Sequence, residues 1–205
     1  SYMSTGWIET MSKKVEHIIK AIEESMGEVF VWSDVDVQFF KEFQNEIDEL
    51  LSDKDIVFQR ESPRGSLCAG MFISRANEKT LHLWKDIYNS LLLQKKFDDQ
   101  GHLNKKLLRT SNFFNYAHRA YSTAQWYLFR KQLSLTLRRN PYEVSWSYLP
   151  NSFFSPGCYA AKIWSPGDRL CVPEDIYLHH ANWTNGLENK ILQLQYVRDL
   201  VKKIS

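Results

Sequence analysis

Val15, Ile18, Ile19 and Ile22 recur at helical spacing among Lys and Glu, which predicts an amphipathic helix over 12–25, stopped by Gly27. The run Val29-Phe30-Val31-Trp32 breaks that period. It reads as a buried strand of the kind found in parallel α/β sheets. Residues 39–51 return to helical spacing, and 55–59 (DIVFQ) read as a second strand. Pro63 and Gly65 mark 60–66 as a loop. Residues 67–74 (LCAGMFIS) form a third apolar strand with Gly70 inside it, and an internal strand glycine often marks close approach by a ligand or another backbone. Residues 77–94 predict a helix burying Leu81, Trp84, Ile87, Leu91 and Leu92. A further helix runs through Leu103, Leu107 and Leu108, after Asp98-Asp99-Gln100. Residues 112–140 are aromatic and basic, and 124–137 fit either helix or strand. Prolines and glycines make 141–167 loop-rich; a short strand at 176–178 and a closing helix over 187–204 complete the chain. Helices alternating with short apolar strands indicate an α/β fold.

Composition adds bounds. The 205 residues suit one domain and a self-sufficient core. With 26 Lys+Arg against 24 Asp+Glu, no strong basic excess points to nucleic acid as a partner. The three cysteines, at 68, 158 and 171, suit neither a disulfide framework nor a zinc site. No apolar run reaches the ~18 residues of a membrane span. Aromatic residues make up 14% of the chain. Trp126, Tyr127, Trp146, Tyr148, Phe153, Phe154 and Trp164 gather in the second half. Core packing accounts for most such rings, and loop-borne ones are candidates for stacking on sugars.

Three groups of residues can carry chemistry. Asp34 and Asp36 flank Val35 after the first strand. In extended backbone they point the same way, and hard oxygen ligands suit Mg²⁺ or Mn²⁺. Asp98, Asp99 and Gln100, with Asn104 a turn later, stand at a helix start, where one Asp serves as an N-cap. His179 and His180 follow the last strand, ahead of Gly186 and Lys190. A neutral imidazole is a common metal ligand, and a lysine can meet a phosphate as a point charge.

Taken in order, VFVWSDVDVQFF, LCAGMFISR, FDDQGHLN and LHHANWTNGLENK resemble the nucleotide-diphospho-sugar transferases of GT-A fold. The likeness is to the branch that includes plant arabinosyl- and xylosyltransferases. It implies a single GT-A-like domain over 1–205, with a mostly parallel central sheet flanked by helices. It also implies a nucleotide-binding strand–helix–strand section ahead of the DxD strand; the 33 residues before Asp34 hold one helix and the DxD strand itself, so those first strands are expected to be missing. By this resemblance Asp34 and Asp36 are the DxD pair, and His180, with His179 as fallback, is the third ligand of Mn²⁺ or Mg²⁺. Asp34, Gly186 and Lys190 fall to the donor, with Lys190 on its diphosphate. Ala69 and Gly70 match the small residues near donor and acceptor, and Cys68 stands where Asn is common. Asp99 and Gln100, with Asp98 beside them, match the acid–amide pair at the reacting carbon.

The implied activity is metal-dependent transfer of a hexose or pentose from a nucleotide sugar, UDP-linked by preference, to a hydroxyl of a glycan or glycoprotein. The branch points to retention of configuration; inversion would need a base, for which Asp98 or Asp99 could serve. A catalytically silent sugar- or protein-binding module of the same fold is the alternative. Asn182-Trp183-Thr184 is a formal N-glycosylation acceptor inside the metal motif. With the odd cysteine count it favours cytoplasm over a truncated domain of the Golgi lumen.

Overall fold

The computed structural model describes residues 5–94, 97–108, 120–121, 124, 127–128, 140–158 and 162–204. The segment expected to be helix or strand at 124–137, with Trp126, lies almost wholly outside them.

Helix α1 spans Thr5–Glu24, longer than the periodicity alone predicts. Val15, Ile18 and Ile22 line its buried stripe. Gly27 follows with φ +90°, a turn that only glycine makes without strain, and its N–H reaches Ala76 O. Strands β1 (Val29–Ser33), β3 (Ile56–Arg60), β4 (Leu67–Arg75) and β5 (Trp146–Tyr148) form one sheet in the order β1-β4-β3-β5. Helix α3 (Glu78–Leu93) starts at a capping box in which the Asn77 side chain accepts from Thr80 N and Thr80 answers. Helices α1, α3 and α4 (Asp99–Leu108) carry one face of the sheet, burying Phe58, Phe72, Trp84 and Leu103. Val57, Met71 and Ile73 point to the other face, against Leu51, Leu149, Phe153 and Leu178.

That second face is covered by the short helix α2 (Ile47–Leu51) and a three-stranded sheet. Its order is β2-β7-β6, from β2 (Val37–Phe39), β6 (Phe153–Phe154) and β7 (Leu178–His180). The closing helix α5 (Leu187–Ile204) buries Val197 against Phe154 and Ile176.

The α/β class holds, and its details correct four expectations. The sheets are mixed: β1–β4, β3–β4 and β2–β7 pair antiparallel, and only β3–β5 and β6–β7 pair parallel. Strand β1 is a half-buried edge strand and not a buried one. Residues 39–51, expected to be one helix, hold the end of β2, a 3₁₀ turn and α2. Residues 146–148 and 153–154, expected as loop, are strands anchored by a buried Trp and two buried Phe.

One irregularity sets up the site. The β3–β4 register shifts between the pairs Phe58–Phe72 and Arg60–Leu67. Extra residues in β4 therefore bulge out of the ladder. As a result Leu67 and Ala69 share a cluster with Phe72, while Met71 and Ile73 face away. Gly70 sits at this reversal.

Candidate active site

Asp34 and Asp36 lie in the tight turn joining β1 to β2, not in extended backbone. Val35 at its tip is fully exposed. Asp34 N–H donates to Gly70 O (2.7 Å), and Ala181 N–H donates to Asp36 O (2.9 Å). The turn is thus pinned to β4 on one side and to the end of β7 on the other. Asp34, Asp36 and His180 converge, their candidate ligand atoms all within 4.8 Å of one another.

Gly70 makes room for this cluster. A Cβ there would stand 2.6 Å from Asp34 Oδ2 and 2.6 Å from His180 Cε1. The close approach expected at Gly70 is of a ligand or another backbone; what approaches are two side chains of the site.

The imidazole of His180 is oriented from behind. Gln59 Nε2 donates to Phe153 O and Phe154 O, both at 3.0 Å. That fixes the amide so that its Oε1 faces His180 Nδ1 at 2.9 Å. An oxygen there requires Nδ1 to carry the proton, which leaves the Nε2 lone pair turned outward. Nε2 faces Asp36 Oδ1 at 3.4 Å. Two acceptors approach in that way only with a proton or a cation between them. Two carboxylates and one imidazole are a donor set that suits Mn²⁺ or Mg²⁺, so these residues fit a divalent cation.

His179 is excluded from this role. Its ring is buried against Phe154, with centroids 5.3 Å apart. Burial first, then the neighbouring His180, pushes its pKa down to about 3.

Both carboxylates also meet lysines. Lys190 on α5 pairs with Asp36. Burial resists ionisation of Asp36, but His180 and Lys190 outweigh it and hold the carboxyl well below its usual range. Lys14 on α1 lies 2.9 Å and 3.0 Å from the two oxygens of Asp34, and 3.0 Å from Asp99 Oδ2. Burial works against its charge, yet Asp99 and Asp34 raise its pKa above the usual value. Sequence reasoning missed Lys14, which stands among helix charges that look solvated.

The acid–amide motif divides into three roles. Asp98 Oδ1 accepts from Gly101 N–H (2.7 Å), as an N-cap does. Asp99 is 3% exposed and tied to Lys14, with burial raising its pKa. Gln100 Oε1 accepts from Ala69 N–H (3.1 Å), so Ala69 contributes its backbone to the site wall. Cys68 brings its thiol to 3.6 Å from His180 Nδ1, and burial keeps it protonated. Gly186 takes φ +81° ahead of α5, so that the helix starts with Lys190 one turn in.

Of the aromatic residues, Trp146, Phe153, Phe154 and Trp164 are core. Tyr148 is half-buried under the Arg60 guanidinium (4.8 Å), and Tyr127 is exposed. Asn182 is buried, accepting from Ser155 Oγ and donating to Glu61 Oε2, both at 2.8 Å. A folded chain therefore cannot be glycosylated there, and the motif says nothing about compartment. Among the described residues no helix is long and apolar enough to cross a membrane.

Searches of curated proteins and of solved structures returned no significant match. A model of the nucleotide-diphospho-sugar transferase family, however, matches residues 1–194, which contain every residue of the site just described. The chain belongs to the nucleotide-diphospho-sugar transferase family.

Proposed function

We propose that the chain is a metal-dependent glycosyltransferase that moves a hexose or pentose from a UDP-sugar to a hydroxyl of a glycan or glycoprotein, with retention of configuration. The observation that carries this reading is the approach of His180 Nε2 to Asp36 Oδ1 (3.4 Å), with Nδ1 already committed to Gln59 and Asp34 alongside. Asp34, Asp36 and His180 would hold the cation, which supplies positive charge against the leaving diphosphate. Lys190, now on Asp36, is one side-chain reorientation from a bound phosphate. Gln100 and the β4 backbone at Ala69 and Gly70 line the place for the donor sugar. Lys14 keeps Asp34 and Asp99 in fixed relation while the nucleotide binds.

The test is a melting screen with UDP and GDP, each with and without Mn²⁺, followed by assay of nucleoside diphosphate release from their sugars. A Mn²⁺-dependent shift with UDP and release from a UDP-sugar are expected, and Asp36→Ala removes both. A shift that survives Asp36→Ala unchanged sinks the site assignment. Binding without release from any donor favours the silent sugar-binding module.

A further inference from the structure

Glu61 closes the other side of this cluster. It directly follows β3, in the stretch that reads as loop from sequence. As a residue it is half-buried, and its carboxylate end is the more deeply buried part. Asn182 Nδ2 donates to Glu61 Oε2 at 2.8 Å, and Ser155 Oγ holds the Asn182 amide in that orientation. Polar groups of Cys68, Trp183 and Gln100 stand close to the carboxylate, and His180 lies within electrostatic reach. Trp183 takes φ +52°, a conformation costly for a bulky residue and concentrated at functional sites. Its ring fills the space left by the missing side chain of Gly157. The Trp183 indole N–H is buried and completes no hydrogen bond of ordinary geometry among the described residues.

Two carboxylates beside Gln100 thus differ in their partners, though burial raises the pKa of both. Asp99 is compensated by Lys14 at 3.0 Å. Glu61 has neutral donors around it and no lysine or arginine partner among the described residues.

We propose that the Glu61 carboxylate faces the transferring sugar and stabilises the positive charge that develops at its anomeric carbon. The inference rests on the glycosyltransferase reading and gives this role to Glu61 and not to Asp99, the acid that the resemblance puts at the reacting carbon. As the glycosidic bond breaks, its electron pair leaves with the diphosphate. The acceptor oxygen forms the new bond, and its proton passes to the departing diphosphate. Glu61 itself forms and breaks no bond. Its contribution is differential. Burial makes its uncompensated charge costly in the resting site, which is why its pKa is raised. A neighbouring oxocarbenium-like centre relieves that cost only in the transition state.

Glu61→Gln and Glu61→Asp are compared with the wild type for UDP–Mn²⁺ melting shift, donor KM and turnover of UDP-sugars. Glu61→Gln is expected to keep the melting shift and a donor KM within about threefold, while turnover falls roughly 100-fold or more. Formate is expected to restore part of the turnover of Glu61→Ala. Turnover of Glu61→Gln within about threefold of wild type overturns the proposal alone. So does loss of the melting shift in both Gln and Asp variants, which makes Glu61 a structural tie. A wild type that neither shifts with UDP–Mn²⁺ nor releases diphosphate from any donor overturns the glycosyltransferase reading and this one with it.

Discussion

The ammonium of Lys14 lies 3.0 Å from Asp99 Oδ2, joining the first helix of the chain to the start of α4. The same ammonium holds Asp34 at 2.9 Å. Lys14 is the common cation of two carboxylates from separate motifs. Removing it leaves the buried Asp99 and the half-buried Asp34 without their shared cation, and breaking a buried pair from one side is costly.

Lys14→Met is therefore expected to cost about 3–5 kcal/mol, seen as a melting temperature lower by roughly 10 °C. Asp99→Asn is expected to cost less, because Lys14 keeps Asp34. Chemical denaturation of the three proteins checks this. Lys14→Met within about 0.5 kcal/mol of wild type would show that the pair carries no stability.

Gly70→Ala places a methyl group against Asp34 and His180. Neither can step aside freely: Lys14 holds the first, and Gln59 and Asp36 hold the second. The expected cost is about 1–3 kcal/mol of overpacking, together with loss of the Mn²⁺-dependent nucleotide shift. Calorimetric titration of Mn²⁺ with UDP into the variant measures it. Wild-type affinity would mean that Asp34, Asp36 and His180 need not converge as they do here.

His179 makes stability depend on pH. It is neutral in the fold, with its pKa pushed down to about 3 from 6.5. The unfolded chain takes up a proton there as the pH drops below 6.5, and the folded chain does not. The contribution is thus complete above that value and is lost as the pH falls toward 3. Without added metal, the wild type is expected to lose about 2–3 kcal/mol more than His179→Leu between roughly pH 6.5 and 4.5. Parallel loss in both proteins would show that the acid sensitivity lies elsewhere.

What could be read in advance follows from the range of the forces involved. Helix α3 and strands β1 and β4 announce themselves through local period, capping and apolar runs. Asp34, Asp36 and His180 stand in recognisable motifs, and the fold brings them together. Strands β5 and β6 are short, and they exist because buried rings pack under a neighbouring sheet. The parallel or antiparallel sense of a pairing is likewise set by tertiary connection and not by local pattern. Lys14 and Glu61 carry no motif. Lys14 gains its meaning from partners 20 and 85 positions away, and Glu61 from Asn182, which is 121 positions away.

Strand β4 runs past the end of its neighbour β1, whose last pair is Ser33 with Met71. The overhang, from Leu67 to Gly70, would expose a row of backbone groups beside the ligand site. Side chains of α4 take them instead: Asn104 bonds both Leu67 N and Leu67 O, and Gln100 takes Ala69 N. The turn at Asp34 takes Gly70 O. Two amides and a turn thus play the part of a missing strand. The opening beside Asp34, Asp36 and His180 offers no template for β-augmentation by a foreign peptide, and it suits a ligand that brings its own hydroxyls and phosphates.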